Sequence, residues 1–436
     1  MNNHRTLLVL GLLAISLAAC SSGAGTPSAA PSASMAPPVS PSPSSSAPAA
    51  ETPPSASSPA MPSETLPPEE PELPKEATLL AIGDIMVHMP QLPAYYDAVG
   101  QSYDFTPWFE RVKPIFAQGD WVIGNLETPI AGKDLKYSGY PRFNAPDELA
   151  LAIKDAGVQL LSTANNHSLD RGFPGVVRTM NKLRKAGLVP IGTSVSAADR
   201  KRLVIEERNG IRMGFLAYTY GTNGIPIPSD RPYAVELIDP SAIKRDISRV
   251  KEAGADVVTV SLHFGVEYQR MPNGQQTELA RELIAAGADI LLGSHPHVVQ
   301  PYEEIAVPAE DSVDGTARKG IVVYSLGNFI SNQTGSWKDV GLIFGLRLVK
   351  TREPDGSYKT TWDRIVAEPT WVHIRWKQKM RYYTVVPLRD AVANRNIPVF
   401  SEADYAEAKT KLTGLDRHLL KLDPALVPSP FADPAS

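Results

Sequence analysis

Cysteine is almost missing from this chain. Of 436 residues one is cysteine, Cys20, and it ends an apolar N-terminal segment. A disulfide framework and a thiolate metal site are therefore excluded beyond it, and any metal must be held by His, Asp, Glu or Asn. Long hydrophobic runs are scarce as well. The apolar stretch Leu7 to Leu17 is too short to span a bilayer comfortably. Nor is there an excess of positive charge: 43 Lys and Arg stand against 47 Asp and Glu, which argues against a broad nucleic-acid-binding face.

What is present divides the chain. Met1 to Arg5 is basic, an apolar core follows, and Leu17-Ala18-Ala19-Cys20 reads as a lipoprotein cleavage box. Residues 1–19 are expected to be a signal peptide, with Cys20 lipidated and the mature chain anchored to a membrane outside the cytoplasm. Residues 20–76 are rich in Pro, Ser and Ala and too poor in apolar side chains to offset ordering. They are expected to form a disordered tether, reaching on the order of 150 Å at about 3.1 Å per residue. A folded domain is expected over 77–390, and a C-terminal helix and tail over 391–436.

Within the domain, short apolar runs alternate with amphipathic ones. Strands are expected at Ala77–Ile82, Asp120–Ile123, Val158–Ser162, Leu188–Ile191, Asp256–Leu262, Asp289–Leu292 and Ile321–Tyr324. Arg202–Glu207 and Ile211–Tyr218 flank Asn209-Gly210 as a hairpin. Helices are expected at Trp108–Gln118, from Pro146 to Gly157, at Gly175–Ala186, Ser241–Ala253, Thr277–Ala286 and Glu402–Lys421. Gly341–Lys350, Tyr358–Glu368 and Tyr382–Val386 alternate like antiparallel strands. The pattern is α/β, with an αββα layered sandwich among its solutions.

The polar residues gather just after the strands: Asp84, Asn125 and Glu127, Asn165-Asn166-His167, His263, His295-Pro296-His297 and Asn328. Ligands of open α/β sheets bind beyond the carboxyl ends of strands. Pro296 biases His295 towards extended geometry, so that both imidazoles of the pair face one point. A set of Asp, Asn and His without Cys suits one or two divalent cations of the Mn, Zn or Fe type. Asp84, Asn125, Glu127, Asn166, His263, His295 and His297 are the candidate ligands. For His263 the alternative is a buried histidine with its hydrogen bonds satisfied. His167 is a candidate proton donor to a leaving group, with Asp170 orienting it or merely capping the next helix. His88 is a weaker candidate for the site. Arg142 can hold a carboxylate or phosphate in bidentate fashion, or stand as an ordinary surface arginine.

Taken in order, these motifs resemble the bacterial CapA family of capsule-synthesis proteins, associated with poly-γ-glutamate production. The resemblance covers roughly 77–330. Its strongest part runs from His263-Phe264-Gly265-Val266-Glu267-Tyr268 through Ala286-Gly287-Ala288-Asp289 to Gly293-Ser294-His295-Pro296-His297. Gly83-Asp84, Asn125-Leu126-Glu127, Asn165-Asn166-His167 with Asp170, and Ser325-Leu326-Gly327-Asn328-Phe329 complete it. The family is similar in fold to calcineurin-like metallophosphatases, which implies an αββα sandwich of the metallo-dependent phosphatase type. It also implies a hydrolase-like site, or else a non-catalytic accessory role in polymer synthesis or export. Arg142, Glu267 and Asn328 are then candidates for substrate binding. The implied partners are an anionic polymer (poly-γ-glutamate) or a phosphorylated substrate, membrane synthetase or transport subunits, and no nucleic acid. One departure stands out: the superfamily opens with Asp-x-His, whereas Asp84 is followed by Ile85-Met86. A weakened first metal position is expected.

Overall fold

A computed structural model describes residues 72–431. The expected signal peptide, Cys20 and all but the end of the tether lie outside the described residues. In chain order the strands are β1 (Lys75–Ile85), the small hairpin β2 (Tyr96–Asp97) and β3 (Ser102–Tyr103), β4 (Trp121–Leu126), β5 (Leu160–Ser162), β6 (Val189–Ile191), β7 (Val204–Arg208) and β8 (Ile211–Thr219). They continue with β9 (Val257–His263), β10 (Ile290–Ser294), β11 (Val299–Val307), β12 (Arg318–Leu326), β13 (Asn328–Ile330), β14 (Val340–Arg352), β15 (Tyr358–Lys377) and β16 (Met380–Pro387).

Two mixed sheets result. One has the order β16-β15-β14-β1-β4-β5-β6, with β13 added beside β1; the other has the order β11-β12-β10-β9-β8-β7. The two-residue period of a strand sends alternate side chains to opposite faces. Leu79, Trp121 and Phe344 of the first sheet therefore meet Phe215, Ile290, Leu292 and Val323 of the second in a shared core. Their neighbours Leu80, Val122 and Leu161 pack outward against the helix Glu148–Ala156 and an aromatic group of Phe105, Trp108, Phe109 and Phe116. On the other side Val258, Val260 and Leu291 pack against the helices Pro240–Glu252 and Gly274–Ala285. The architecture is an αββα sandwich. Leu415 and Leu419 of the C-terminal helix Glu402–Leu419 join the inter-sheet core. Among the described residues no helix is long and apolar enough to cross a membrane.

Two local expectations are corrected, and one strand is found where none was expected. The helix expected at Trp108–Gln118 is broken into a 3-10 turn at Thr106–Trp108 and one α turn at Lys113–Phe116. Pro107 and Pro114 each start one piece, and neither can donate a backbone hydrogen bond. An unexpected strand, β11, lies at a sheet edge, pairing only with β12. There Pro301 is tolerated because an edge strand has one unpaired side. The His295-Pro296-His297 segment is not extended. His295 and His297 have φ of 100° and 57°, and the chain turns sharply after β10. Left-handed geometry at two non-glycine residues is costly and marks positions where the surroundings dictate the backbone.

Candidate metal centre

The strands β1, β4, β5, β8, β9 and β10 deliver their carboxyl ends to one place. Within the first sheet Asp84 is in register with Asn125 of β4 and Asn328 of β13. Within the second, His263 is in register with Ser294 and with Thr219. The first sheet thus supplies the carboxylates and the second the imidazoles, and the cluster sits over the seam between them. Two glycines allow this closeness. A Cβ on Gly83 would stand 1.9 Å from the Gly327 carbonyl oxygen, and one on Gly293 would stand 1.9 Å from that of Tyr324.

Asp84, Glu127 and His297 each offer a ligand atom, all within 4.8 Å of one another. Glu127, His263 and His295 do the same, and all of these residues are buried. Glu127 belongs to both groups, so the two candidate positions adjoin and share one carboxylate. Asn166 lies next to the second, its Oδ1 3.0 Å from His263 Nε2. The first keeps three protein ligands although Met86 stands where the superfamily has histidine.

The donor set fits divalent cations on independent grounds. Glu127 Oε1 and His295 Nδ1 are buried and have no hydrogen-bond partner. Burial, and next the Asp84 charge, push the Glu127 carboxyl well above its usual range. Burial holds His263 well below the usual imidazole range, with the His295 and His297 rings adding to the effect. Burial, then His297, lowers His295 to about 4. These histidines are therefore neutral at neutral pH, the form that binds a metal. Paired carboxylates in a buried place are unfavourable until a cation joins them.

Each outer contact fixes a ligand. His263 Nδ1 meets Ser294 Oγ at 2.9 Å. His297 Nδ1 meets Asp84 Oδ2 at 3.0 Å. The Asn125 amide nitrogen donates to Asp84 Oδ1 at 2.8 Å and to Glu127 Oε2 at 3.3 Å, while its oxygen accepts from Asn165. Asn125 was expected to be a ligand; its oxygen instead faces away, and its nitrogen holds the two carboxylates together. Asn328 was expected to touch substrate. It is fully buried, and its amide donates to the carbonyls of Lys338 at 2.8 Å and His297 at 3.3 Å. Its role is to hold the strained His297 loop.

His167 lies beside the metal ligands. Its Nδ1 is 2.8 Å from Asp170 Oδ2, which also accepts from the Phe143 backbone N–H at 2.7 Å. The Phe143 ring stands edge-on between His167 and His88, at 4.6 and 5.1 Å. His88 is thus a packing neighbour and belongs to neither ligand group. Burial lowers its pKa to about 4, opposed by a hydrogen bond to Gln91. Arg142 and Glu267 are both exposed, Arg142 next in sequence to Phe143 and Glu267 next to Tyr268. Two exposed tyrosines were not singled out by sequence. Tyr220 lies 4.7 Å from the His295 ring, and Tyr268 lies 6.1 Å from that of His297. Lys338 Nζ is 5.1 Å above Tyr268. Tyr220 follows directly on β8, so the rule that found the other strand ends also covers it.

The calcineurin-like phosphoesterase YfkN from Bacillus subtilis aligns over 80% of this chain and 100% of its own, at 15% identity and a TM-score of 0.40. The "Capsule biosynthesis protein CapA" of Bacillus anthracis is 32% identical over 269 residues, covering 59% of this chain and 61% of that protein. The "PGA biosynthesis protein CapA" of Bacillus subtilis (strain 168) is 33% identical over 256 residues, covering 58% and 62%. The chain thus spans about three fifths of the length of these relatives. The family described as "Bacterial capsule synthesis protein PGA_cap" matches residues 78–333, more than half of the sequence and every ligand named above, and the chain belongs to that family.

Proposed function

We propose that this protein acts in poly-γ-glutamate capsule biosynthesis as a metal-dependent hydrolase at the cell surface. The observation that carries the reading is the sharing of Glu127 between two three-residue ligand groups. Two positions joined by one carboxylate are the arrangement that hydrolytic two-metal sites use. Ions of the Mn, Zn or Fe type bound there would supply Lewis acidity and an ionised water for attack on a carbonyl or phosphoryl centre. The chain's own residues do the rest. Asp170 holds His167 at Nδ1, which fixes the tautomer and leaves Nε2 to carry a proton to the departing group. With a γ-glutamyl amide as substrate, that group is the amine and the carbonyl gains the water oxygen.

The rim suits an anionic chain. Arg142 and Lys338 offer positive charge to its carboxylates, and Tyr220 and Tyr268 offer flat surfaces over the metal-binding histidines. The lipoprotein pattern ending at Cys20, and the long Pro, Ser and Ala segment after it, support attachment to a membrane through a long spacer. Synthetase or transport subunits in that membrane are the natural partners. A purely non-catalytic accessory role is disfavoured, because each position keeps three candidate ligands and His167 keeps its carboxylate.

The test compares wild type with the His295→Ala/His297→Ala double variant. Metal content is measured after dialysis, with cleavage of poly-γ-glutamate and of p-nitrophenyl phosphate. Wild type is expected to retain metal and to shorten the polymer in a chelator-sensitive way. A protein that holds no metal, and whose double variant still supports polymer production in cells, would end this reading.

A further inference from the structure

The opposite end of the sandwich carries a second collection of charge. A cleft of about 860 Å³ opens there, at the amino ends of β9, β10 and β12. Its charged lining is Lys251, Arg318, Lys319, Lys359, Asp289 and Asp314. The carboxylates and one of the lysines already have partners. Asp289 Oδ1 takes Arg318 and its Oδ2 takes the Val258 backbone N–H. Asp314 is turned into its own loop, accepting from Ser312 and Thr316. Lys319 pairs with Glu304 at 2.9 Å and lies over the Trp362 ring.

Lys359 is exposed on β15, which leaves two cationic nitrogens beside the helix end. Arg318 is nine-tenths buried, and its NH2 donates to the Ala288 carbonyl and to Asp289. Its NH1 is buried without a partner. Lys251 Nζ, at the end of the helix Pro240–Glu252, makes no hydrogen bond or ion pair among the described residues. Both nitrogens converge on Gly287. A Cβ there would stand 3.0 Å from Lys251 Nζ and 3.1 Å from Arg318 NH1. Gly287 follows the C-terminal cap of the helix Gly274–Ala285 and has φ of 111°. The helix end explains a glycine with that backbone. It does not explain why an unpartnered guanidinium nitrogen and an unpaired ammonium both point at the space the glycine leaves.

We propose that this cleft is a second binding site, taking an oxyanion, carboxylate or phosphate, at the point above Gly287 where Lys251 and Arg318 meet. An oxyanion has lone pairs enough for both donors, and bonds between ions of opposite charge are the strong class of hydrogen bond. The cleft is far larger than one such group, so the ligand is a longer molecule bearing it. Tyr358 and Trp362 of β15 supply flat apolar wall for the remainder. Gly287-Ala288-Asp289 is part of the motif that identified the family in sequence. The site lies apart from the metal centre and does not depend on its chemistry.

Lys251 carries the test, because replacing it breaks no bond, whereas removing Arg318 would strand Asp289. Calorimetric titration of the full-length chain with a γ-linked glutamate decamer, and separately with inorganic triphosphate, is done in the His295→Ala/His297→Ala background. Metal-dependent binding at the first site is thereby removed from the signal, and dependence on Lys251 separates the cleft from the rim of that site. At least one probe is expected to bind, to weaken about tenfold or more in Lys251→Gln through loss of a charged donor, and to be lost in Lys251→Glu. Thermal midpoints should be unchanged. The tighter probe identifies carboxylate or phosphate as the natural group. Failure of both probes to bind, or affinities indifferent to Lys251→Glu, would overturn the proposal while leaving the metal-centre reading untouched.

Discussion

Glu127 Oε1 lies 3.7 Å from His297 Nε2, with both side chains buried. The separation is too long for a hydrogen bond, and His263 Nε2 stands 3.6 Å from the same oxygen. None of these three atoms bonds another, although His263 Nε2 also meets Asn166 Oδ1 at 3.0 Å, and the space they face is where a cation would sit. Glu127→Gln keeps the shape and removes the charge. It should sharply lower the metal retained after dialysis, read by elemental analysis. It should also raise the thermal midpoint of the metal-free protein, because a buried carboxylate beside Asp84 disappears. Wild-type metal content in this variant would refute the bridging role.

His167 and Asp170 separate chemistry from metal binding. Neither belongs to a ligand group, so His167→Ala and Asp170→Asn should retain metal. His167→Ala should slow hydrolysis by about 10²–10⁴-fold, the usual worth of a positioned proton donor. Asp170→Asn should lose less, because the imidazole stays in place and loses only the carboxylate that fixes its tautomer. Equal rates in wild type and His167→Ala would remove His167 from the reaction.

The identities of these residues were legible in the sequence, but their orientations were not. Asp84, Glu127, His263, His295 and His297 stand at or just after the end of an apolar strand, and parallel strands bring such ends together. Which way an amide points depends on partners distant in sequence. Asn125 turns its nitrogen inward because Asp84, 41 residues away, accepts from it. Asn328 is drawn from the site because the His297 and Lys338 carbonyls need a donor. The extended geometry expected around Pro296 gave way to two left-handed histidines, a local preference overridden by the demands of the cluster. The Lys251 and Arg318 pair was invisible for the same reason: 67 residues separate them, and only the sheet brings them to Gly287.

Asn328 and Gly83 lead to a prediction about support. Asn328→Ala would leave the Lys338 and His297 carbonyls without their donor in a buried place, a loss of about 1–3 kcal/mol. Metal affinity should fall by about 10–100-fold, as is usual when the residues behind the ligands are removed. Gly83→Ala should be worse, since its Cβ cannot share space with the Gly327 oxygen and Asp84 is the next residue. Chemical denaturation and a metal competition titration check both. An Asn328→Ala protein with normal stability and affinity would return Asn328 to consideration as a substrate contact.

Glu368 offers a test by pH that is independent of the metal. It is buried on β15, and burial pushes its carboxyl up to about 8 from a reference of 4.5. The Arg389 backbone N–H and the guanidinium charge oppose this, but the fork of Arg389 is already paired with Asp416 at 2.6 and 3.1 Å. Because the folded value is raised, the folded state binds the extra proton. Stability from this group is present below pH 4.5 and is lost as pH rises towards 8. The buried histidines have the opposite sign: His88, lowered to about 4, costs stability as pH falls below its unfolded value of 6.5. Wild type and Glu368→Gln share those histidines, so the difference between the two proteins isolates the carboxyl. The variant should gain on wild type steadily from pH 5 to pH 8 and level off above. A thermal-midpoint difference that stays flat over this range would mean that Glu368 is ionised in the folded protein and that Arg389, despite Asp416, is its real partner.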